Sequence, residues 1–300
     1  METVMMVAAP LAGAIKQNVA LDVSRLRKEK GISPKLVAFL IGKDPISRTY
    51  VDLKQKDCAE VGILSEVRDL SSEEYTASDV VNALKEANED PKVHAIIPQI
   101  PFDGKIPEER IFSTLSPQKD VDGLTPFRLG KLIRSEYKLE SSLLPCTPKG
   151  ITLLCKYYGI PLEGAEAVIV GRGVLVGEPL RKLLQDLNAT ATCCHTKTRN
   201  LEGKLESADL IIAASGRPPE LFGSKGFRLA GENVREGCAV VSVGVRKDPS
   251  TGKMLFDVDL SSLKGKCGFL TPNVGGVGAM TRACLLQNTI VAAEDIIRGS

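Results

Sequence analysis

The sequence predicts an α/β protein of two domains. Three observations predict it: short continuous apolar runs closed by glycine, helical patterns set between those runs, and a second such series that begins near the middle of the chain. At 300 residues the chain is long for one α/β core and comfortable for two domains.

Each element follows from its own pattern. Residues 14–30 read as a helix that ends in the Lys28–Gly31 stretch. Leu36-Val37-Ala38-Phe39-Leu40-Ile41-Gly42 suits a buried parallel strand, since a strand covered on both faces need not alternate. A loop with Asp44-Pro45 follows, then a helix from Ser47 to Glu60 with Gly62 past its end. Residues 63–70 read as a strand, Thr76–Glu89 as a helix, and Val93–Ile97 as another buried strand. Pro98 to Asp122 is rich in Pro, Gly, Asp and Lys and starts at a strand's carboxyl end, where open α/β sheets put their ligands. Leu144-Pro145-Cys146-Thr147-Pro148 reads as a hinge or linker. In the second series Ala167–Val170 is a strand, followed by a glycine turn and a helix near Pro179–Leu187. Thr190–Cys194, Leu210–Ala214 and Ala239–Val243 are further strands, and residues 279–298 form a long closing helix. The expected domains are 1–147, carrying the catalytic groups, and 148–278, with 279–300 as a helix returning to the first domain.

Composition narrows the function. Hydrophobic residues make up 43% and charged residues 25%, and 39 basic against 37 acidic side chains leave a net charge of +2. That balance gives no reason to expect nucleic-acid or anionic-membrane binding. Eight cysteines occur without a C-x-x-C pair, so they read as reduced, buried small hydrophobes of a cytoplasmic protein, and no metal site is expected. Met1–Ile15 is apolar but lacks a basic lead, carries Glu2, and is interrupted by Pro10 and Gly13, which argues against a signal peptide. An organellar address stays open. No apolar run reaches the about eighteen residues of a membrane span.

Two constellations carry chemistry. Gly171, Gly173 and Gly177 follow a strand and open a helix, a turn that lets backbone N–H groups approach a pyrophosphate at a helix N-terminus. The spacing is one residue longer than the common fingerprint, and a turn without ligand remains the alternative. The next strand ends in His195-Thr196-Lys197-Thr198-Arg199, with no carboxylate to take a ribose 2′-hydroxyl. With Arg172 these donors favour a 2′-phosphate, hence NADP, against the alternative of a solvated basic loop.

The second constellation is Ser47, Tyr50 and Lys54, which share one helix face. A Tyr-x-x-x-Lys pair also marks short-chain dehydrogenases, but there it follows the glycine loop and here it precedes it. A surface helix with a solvated lysine is the plain alternative, and Lys56, well around the helix, fits that description. Gln99 ends an apolar strand and can orient a lysine. Asp120 and Asp122 alternate in a polar turn, where one could accept hydrogen bonds from a heterocycle. His94 lies in an apolar run and reads as a core histidine. Gly275-Gly276-Val277-Gly278 permits close backbone approach to a ligand, or simply turns the chain.

In this order the blocks resemble the bifunctional methylenetetrahydrofolate dehydrogenase/cyclohydrolase family. They are Gly42-x-x-Pro45-x-Ser47-x-x-Tyr50-Val51-x-x-Lys54-x-Lys56, Pro98-Gln99-Ile100-Pro101, Lys119-Asp120-Val121-Asp122-Gly123 and Pro145-Cys146-Thr147-Pro148-x-Gly150. Val170-Gly171-Arg172, Val176-Gly177-x-Pro179, Cys194-His195-x-Lys197-Thr198 and Thr271-Pro272-x-x-Gly275-Gly276-Val277-Gly278-x-Met280-Thr281 complete them. The resemblance covers residues 35–298. It implies an N-terminal α/β catalytic domain plus a C-terminal Rossmann-like nucleotide-binding domain with a cleft between them, and a homodimer.

The resemblance further implies oxidation of 5,10-methylenetetrahydrofolate with NADP, then hydrolysis of the 5,10-methenyl cation to 10-formyltetrahydrofolate. Lys54 takes the general acid/base position, Tyr50 stacks on the folate, Gln99 contacts the lysine, and Ser47 shares their face. Asp122 binds the pterin, with Gly275 and Gly276 beside the substrate. Gly171, Arg172, Gly173, Val176, Gly177, His195, Thr196 and Lys197 hold the cofactor. Departures are Gly173 and Thr196 where the family has Ser, Phe256 before Asp257, Phe102-Asp103 after Pro101, and Asn273-Val274 and Ala279 in a loop that usually carries two more prolines. They leave open a dehydrogenase without hydrolysis, or a silenced folate- or nucleotide-binding homologue.

Overall fold

The computed structural model describes residues 2–72, 75–102 and 104–299, so Asp103 of the loop after Gln99 lies outside the described residues. In chain order the elements are β1 (Val4–Met5), α1 (Ala9–Lys30), β2 (Lys35–Ile41), α2 (Pro45–Val61), β3 (Leu64–Leu70), α3 (Ala77–Glu89) and β4 (Ala95–Gln99). Then come α4 (Glu108–Thr114), α5 (Pro126–Ile133), α6 (Cys146–Tyr157), β5 (Glu166–Val170), α7 (Gly177–Gln185), β6 (Thr190–Cys194), α8 (Leu201–Ser207) and β7 (Leu210–Ala213). The chain closes with α9 (Pro219–Phe222), β8 (Ala239–Ser242), β9 (Val245–Lys247), β10 (Met254–Phe256), α10 (Leu260–Leu263), β11 (Phe269–Leu270) and α11 (Val277–Gly299).

Two compact units form. One comprises Gly13–Cys146 with Arg282–Ser300, the other Met1–Ala12 with Thr147–Thr281. In the first, the sheet order is β3-β2-β4 and every pairing is parallel. A parallel pair needs a crossover, and α2 and α3 supply the two. Val37, Phe39 and Ile41 of β2 alternate onto one face and pack against Val80, Leu84 and Ile111. Burial of each such side chain contributes about 1.5–3 kcal/mol.

The second unit is built on six parallel strands in the order β1-β11-β8-β7-β5-β6. Beside β5 lie β6 on one side and β7 on the other, so the strand order reverses there, and the turn after β5 sits at the switch point of a Rossmann-like sheet.

Several expectations shift. The first helix begins at Ala9 rather than residue 14, because Pro10 falls in its first turn, where a missing N–H costs nothing. Within the 144–148 stretch, read as a hinge or linker, the division between the two units falls between Cys146 and Thr147, and α6 starts at Cys146 and takes Pro148 into its own first turn. Residues 1–12, expected with the first domain, cluster with the second unit, where β1 pairs with β11. Such two-residue strands carry too little periodicity to be read from sequence. Among the described residues no helix is long and apolar enough to cross a membrane.

Candidate active site

Helix α2 begins because Asp44 caps it: its Oδ2 accepts the Ser47 N–H at 2.8 Å. It ends because Gly62 takes the left-handed conformation at φ +81°. Between these caps Ser47, Val51, Lys54 and Cys58 recur at helical spacing and all are buried, while Tyr50 is half-buried.

Lys54 is only 8% exposed. Its Nζ donates to Gln99 Oε1 at 2.7 Å, and Gln99 Nε2 donates to the Ile100 carbonyl at 2.7 Å, which fixes the amide's orientation. Gln99 is the last residue of β4, so the sheet itself delivers the acceptor. Burial pushes the Lys54 ammonium below its ordinary pKa of 10.5, the neighbouring Asp122 charge pulls it back up, and the Arg282 charge adds to the lowering. Ser47 Oγ is buried and has no hydrogen-bond partner among the described residues, a donor and acceptor left over for a ligand.

The two alternating carboxylates divide their work. Asp120 is fully buried, and its Oδ2 accepts the Thr125 N–H at 2.7 Å. Beside it, Lys119 O accepts the Ile96 N–H at 2.7 Å and Lys119 Nζ donates to the Ala87 and Asp90 carbonyls, so this pair stitches the turn to β4 and α3. Burial raises Asp120 to about 6. Asp122 is the one electrostatically tied to Lys54: burial raises its pKa and the Lys54 charge lowers it. Its Oδ1 accepts the Cys146 N–H at 3.3 Å.

Sequence reasoning missed the residues that hold this arrangement. Asn288 of α11 is fully buried and donates to the Val121 carbonyl at 2.8 Å and the Leu144 carbonyl at 2.9 Å. Asp57, one turn past Lys54, accepts from Lys16 Nζ at 2.7 Å and Arg282 Nε at 2.5 Å. A polar residue inside the apolar pattern of a long helix was the one available signal, and Asn288 carries it. His94 accepts the Lys35 N–H at Nδ1 (3.2 Å) in a buried setting that lowers its pKa, so it is a satisfied core histidine.

The nucleotide-loop residues lie in the other unit. A Cβ at Gly171 would strike the Ala214 carbonyl, and one at Gly177 would strike the Gly171 carbonyl and stand 2.7 Å from Arg172 Cα. These two positions need glycine. Gly173 meets nothing within 4 Å, so the residue that departs from the family pattern has room for a side chain. Val176 precedes α7 and is half-buried; Arg172, Thr196 and Lys197 are exposed, and His195 is half-buried with its Nδ1 accepting the Lys197 N–H at 3.1 Å. The exposed cations stand beside a turn in which backbone approaches backbone, a cradle suited to a dinucleotide phosphate. The 2′-phosphate preference itself is an electrostatic reading of the loop that ends β6.

Gly275, at φ +80°, is exposed, and its carbonyl accepts the Ala8 N–H at 2.9 Å. A Cβ at Gly276 would lie 2.5 Å from the Pro272 carbonyl. The altered Asn273 has a partner in Ser242, whose Oγ donates to its Oδ1 at 2.7 Å. Asp257 accepts the Ser215 and Gly216 N–H groups at 2.6 and 2.9 Å and is raised by burial, a structural post that packs the loop after β7.

Ser47, Tyr50, Lys54, Gln99 and Asp122 therefore fall in one unit, and Gly171 to Gly177, His195 to Lys197, Gly275 and Gly276 in the other. Comparison with known proteins accords with this division. Residues 6–122 match the tetrahydrofolate dehydrogenase/cyclohydrolase catalytic domain, and residues 145–297 match the NAD(P)-binding domain of the same enzymes. The bifunctional protein FolD of Pyrobaculum calidifontis is 41% identical over 282 residues, 92% of this chain and 91% of that protein. The bifunctional methylenetetrahydrofolate dehydrogenase/cyclohydrolase FolD of Campylobacter jejuni superposes with a TM-score of 0.88 at 38% identity, covering 98% of this chain and 99% of that one. FolD of Trypanosoma brucei, solved as a complex with NADP cofactor and inhibitor, gives 0.89 at 29% identity over 99% of both chains.

Proposed function

This chain belongs to the tetrahydrofolate dehydrogenase/cyclohydrolase family, and we propose that it performs both of the family's reactions with NADP and that Lys54 runs the second. The substrate is 5,10-methylenetetrahydrofolate. In the first reaction its methylene carbon loses hydride and becomes the methenyl cation, the departing hydride being pushed by a ring-nitrogen lone pair. NADP supplies the hydride acceptor when bound. Gly171 and Gly177 open room for its phosphates, while Arg172, Thr196 and Lys197 offer the cations and hydroxyl that match a 2′-phosphate. This step needs positioning more than an acid or a base.

The second reaction adds water to the methenyl carbon, and there a proton must leave. A neutral Lys54 donates one N–H to Gln99 and keeps a lone pair for the attacking water. The new hydroxyl then gives up its proton as the C–N5 bond breaks, N5 takes a proton, and the formyl group stays on N10, with one proton released overall. Tyr50 offers a ring for stacking, Ser47 an unused hydroxyl, and Asp122 an acceptor for pterin N–H groups.

The observation that carries this reading is the buried Lys54–Gln99 pair. A buried lysine bonded to a neutral amide, rather than to a carboxylate, is placed to be a base. The test follows NADPH and methenyltetrahydrofolate at two wavelengths, with NAD in parallel. NADPH formed without matching methenyl accumulation, beyond spontaneous hydrolysis, supports both activities. Matched accumulation leaves a dehydrogenase alone, and no reduced cofactor leaves a binding homologue. A cytoplasmic location, supported by free cysteines of which seven of the eight are buried, and a homodimer, carried over from the family resemblance, complete the proposal.

A further inference from the structure

The chain running from β11 into α11 lacks two prolines of the family pattern, at Val274 and Ala279, and has Asn273 beside the first. Strands β8 and β11 pair in parallel at Ala239–Phe269 and Val240–Leu270, and the Thr271 N–H closes the ladder on the Val240 carbonyl at 3.0 Å. Pro272, without an N–H, ends it. Side chains carry the pairing further. Thr271 Oγ1 accepts the Ser242 N–H at 2.7 Å, and Asn273 Oδ1 accepts the Ser242 hydroxyl at 2.7 Å. Thr271 is fully buried and Ser242 nearly so, which shields this pair of bonds from water. Past them the chain turns outward: Val274 is 83% exposed, and Gly275 takes φ +80°. The Gly275 carbonyl then accepts the Ala8 N–H at 2.9 Å. The exposed tip is therefore held on one side by Asn273 and on the other by Ala8.

We propose that Asn273 is a positioning residue for the folate substrate: its bond to Ser242 does the work of the missing proline at 274 and holds Gly275 and Gly276 in the form that receives the ligand. This rests on the reading of the chain as a methylenetetrahydrofolate dehydrogenase/cyclohydrolase with those two glycines beside the substrate. A proline fixes its own φ and restricts the residue before it, so it narrows a loop tip before any ligand arrives. A hydrogen bond from the last residue of β8 narrows the tip from outside the backbone, because rotation at Asn273 leaves a nearly buried hydroxyl without its acceptor. Either device lowers the ordering cost that binding otherwise carries. The two are interchangeable at this place. Among the described residues the Val274 N–H has no hydrogen-bond partner, and Val274 is not among the residues of positive φ, so a proline there breaks no bond.

The experiment is steady-state dehydrogenase kinetics of the full-length chain for both substrates, with tetrahydrofolate binding followed by calorimetry. Asn273→Val should raise the KM for 5,10-methylenetetrahydrofolate about three- to tenfold, the worth of one neutral hydrogen bond. The kcat and the KM for NADP should stay within about twofold, because the loss is one of substrate binding. Adding Val274→Pro to Asn273→Val should bring the folate KM back toward that of wild type. Ser242→Ala should raise the folate KM as Asn273→Val does, and the two together should cost no more than either alone. A general loosening of the nucleotide-binding unit would raise the KM for NADP as well, and a proline would not repair it. An unmoved folate KM in folded Asn273→Val overturns the proposal, as does a rise that Val274→Pro leaves in place. If Asn273→Val does not fold, Ser242→Ala decides on the same two criteria. Turnover by wild type beside an unmoved Asn273→Val removes only the role of Asn273. Absence of turnover in wild type removes the enzyme reading, and calorimetry then decides: weaker tetrahydrofolate binding in Asn273→Val supports the positioning role, and equal binding, or none in either protein, overturns it.

Discussion

Lys54 and Gln99 meet at 2.7 Å between a helix and a strand end, and neither residue has much freedom to meet anything else. Gln99 is held at its other end by the Ile100 carbonyl, so its oxygen, not its nitrogen, faces the lysine. An amide oxygen can accept from a neutral amine as well as from an ammonium ion and holds the proton on less firmly than a carboxylate in that place would.

Removing the amine should therefore separate the two activities. Lys54→Met is expected to cut hydrolysis by about 10²–10⁴-fold, the span typical of general acid–base catalysis, and to spare part of the dehydrogenase. Parallel loss of both in folded protein that still binds folate would refute that division of labour. In wild type, hydrolysis should fall with decreasing pH, because the lowered lysine pKa makes the neutral amine the form lost to acid.

Asp120 makes a stability prediction of definite sign. Its folded pKa of about 6 lies above the ordinary 3.8, so the folded state binds the proton more tightly. Its contribution is fully present below pH 3.8 and is lost as pH rises through about 6. That difference corresponds to about 3 kcal/mol. Urea unfolding curves of wild type and Asp120→Asn, taken from pH 3 to 8, should differ by a slope confined to that window; a pH-independent difference would contradict it.

The nucleotide turn discriminates between its glycines. Gly177→Ala should destabilise the protein by about 1–3 kcal/mol and weaken NADPH binding, since its Cβ has only backbone to push against. Gly173→Ser should leave the melting temperature within a degree or two, because the space there is open. Thermal melts with an NADPH fluorescence titration check both.

Cofactor choice should rest on the exposed cations. Arg172→Ala is expected to lower kcat/KM for NADP about tenfold or more while leaving NAD nearly unchanged, the loss of one charge-assisted hydrogen bond. Equal effects on both nucleotides would place Arg172 elsewhere than on a 2′-phosphate.

Asn288→Leu removes the donors that Val121 and Leu144 share. Val121 O keeps the Cys146 thiol, but Leu144 O loses the Asn288 N–H, at a cost of about 1–3 kcal/mol in chemical denaturation. The KM for folate should rise with it, since Asp122 follows Val121 directly.

Much of this protein was written locally. The continuous runs of β2 and β4, the capped span of α2, the glycine turn after β5 and the Ser47/Tyr50/Lys54 face all depend on periodicity and turn chemistry within a few residues, and such signals survive in one dimension. The order of motif blocks was enough to mark the family, and the cations after β6 suggested the cofactor. What only the tertiary structure decided was which distant groups share an environment. Asn288 lies far along the chain from the Val121 it pins, Arg282 from the Asp57 that clamps it, and β1 from the β11 it pairs with. Of two carboxylates two residues apart, the fold made Asp120 a buried strut and left Asp122 within electrostatic reach of the lysine. Burial and charge act through space, so the pKa of Lys54 is a property of the folded neighbourhood and of no segment of the sequence.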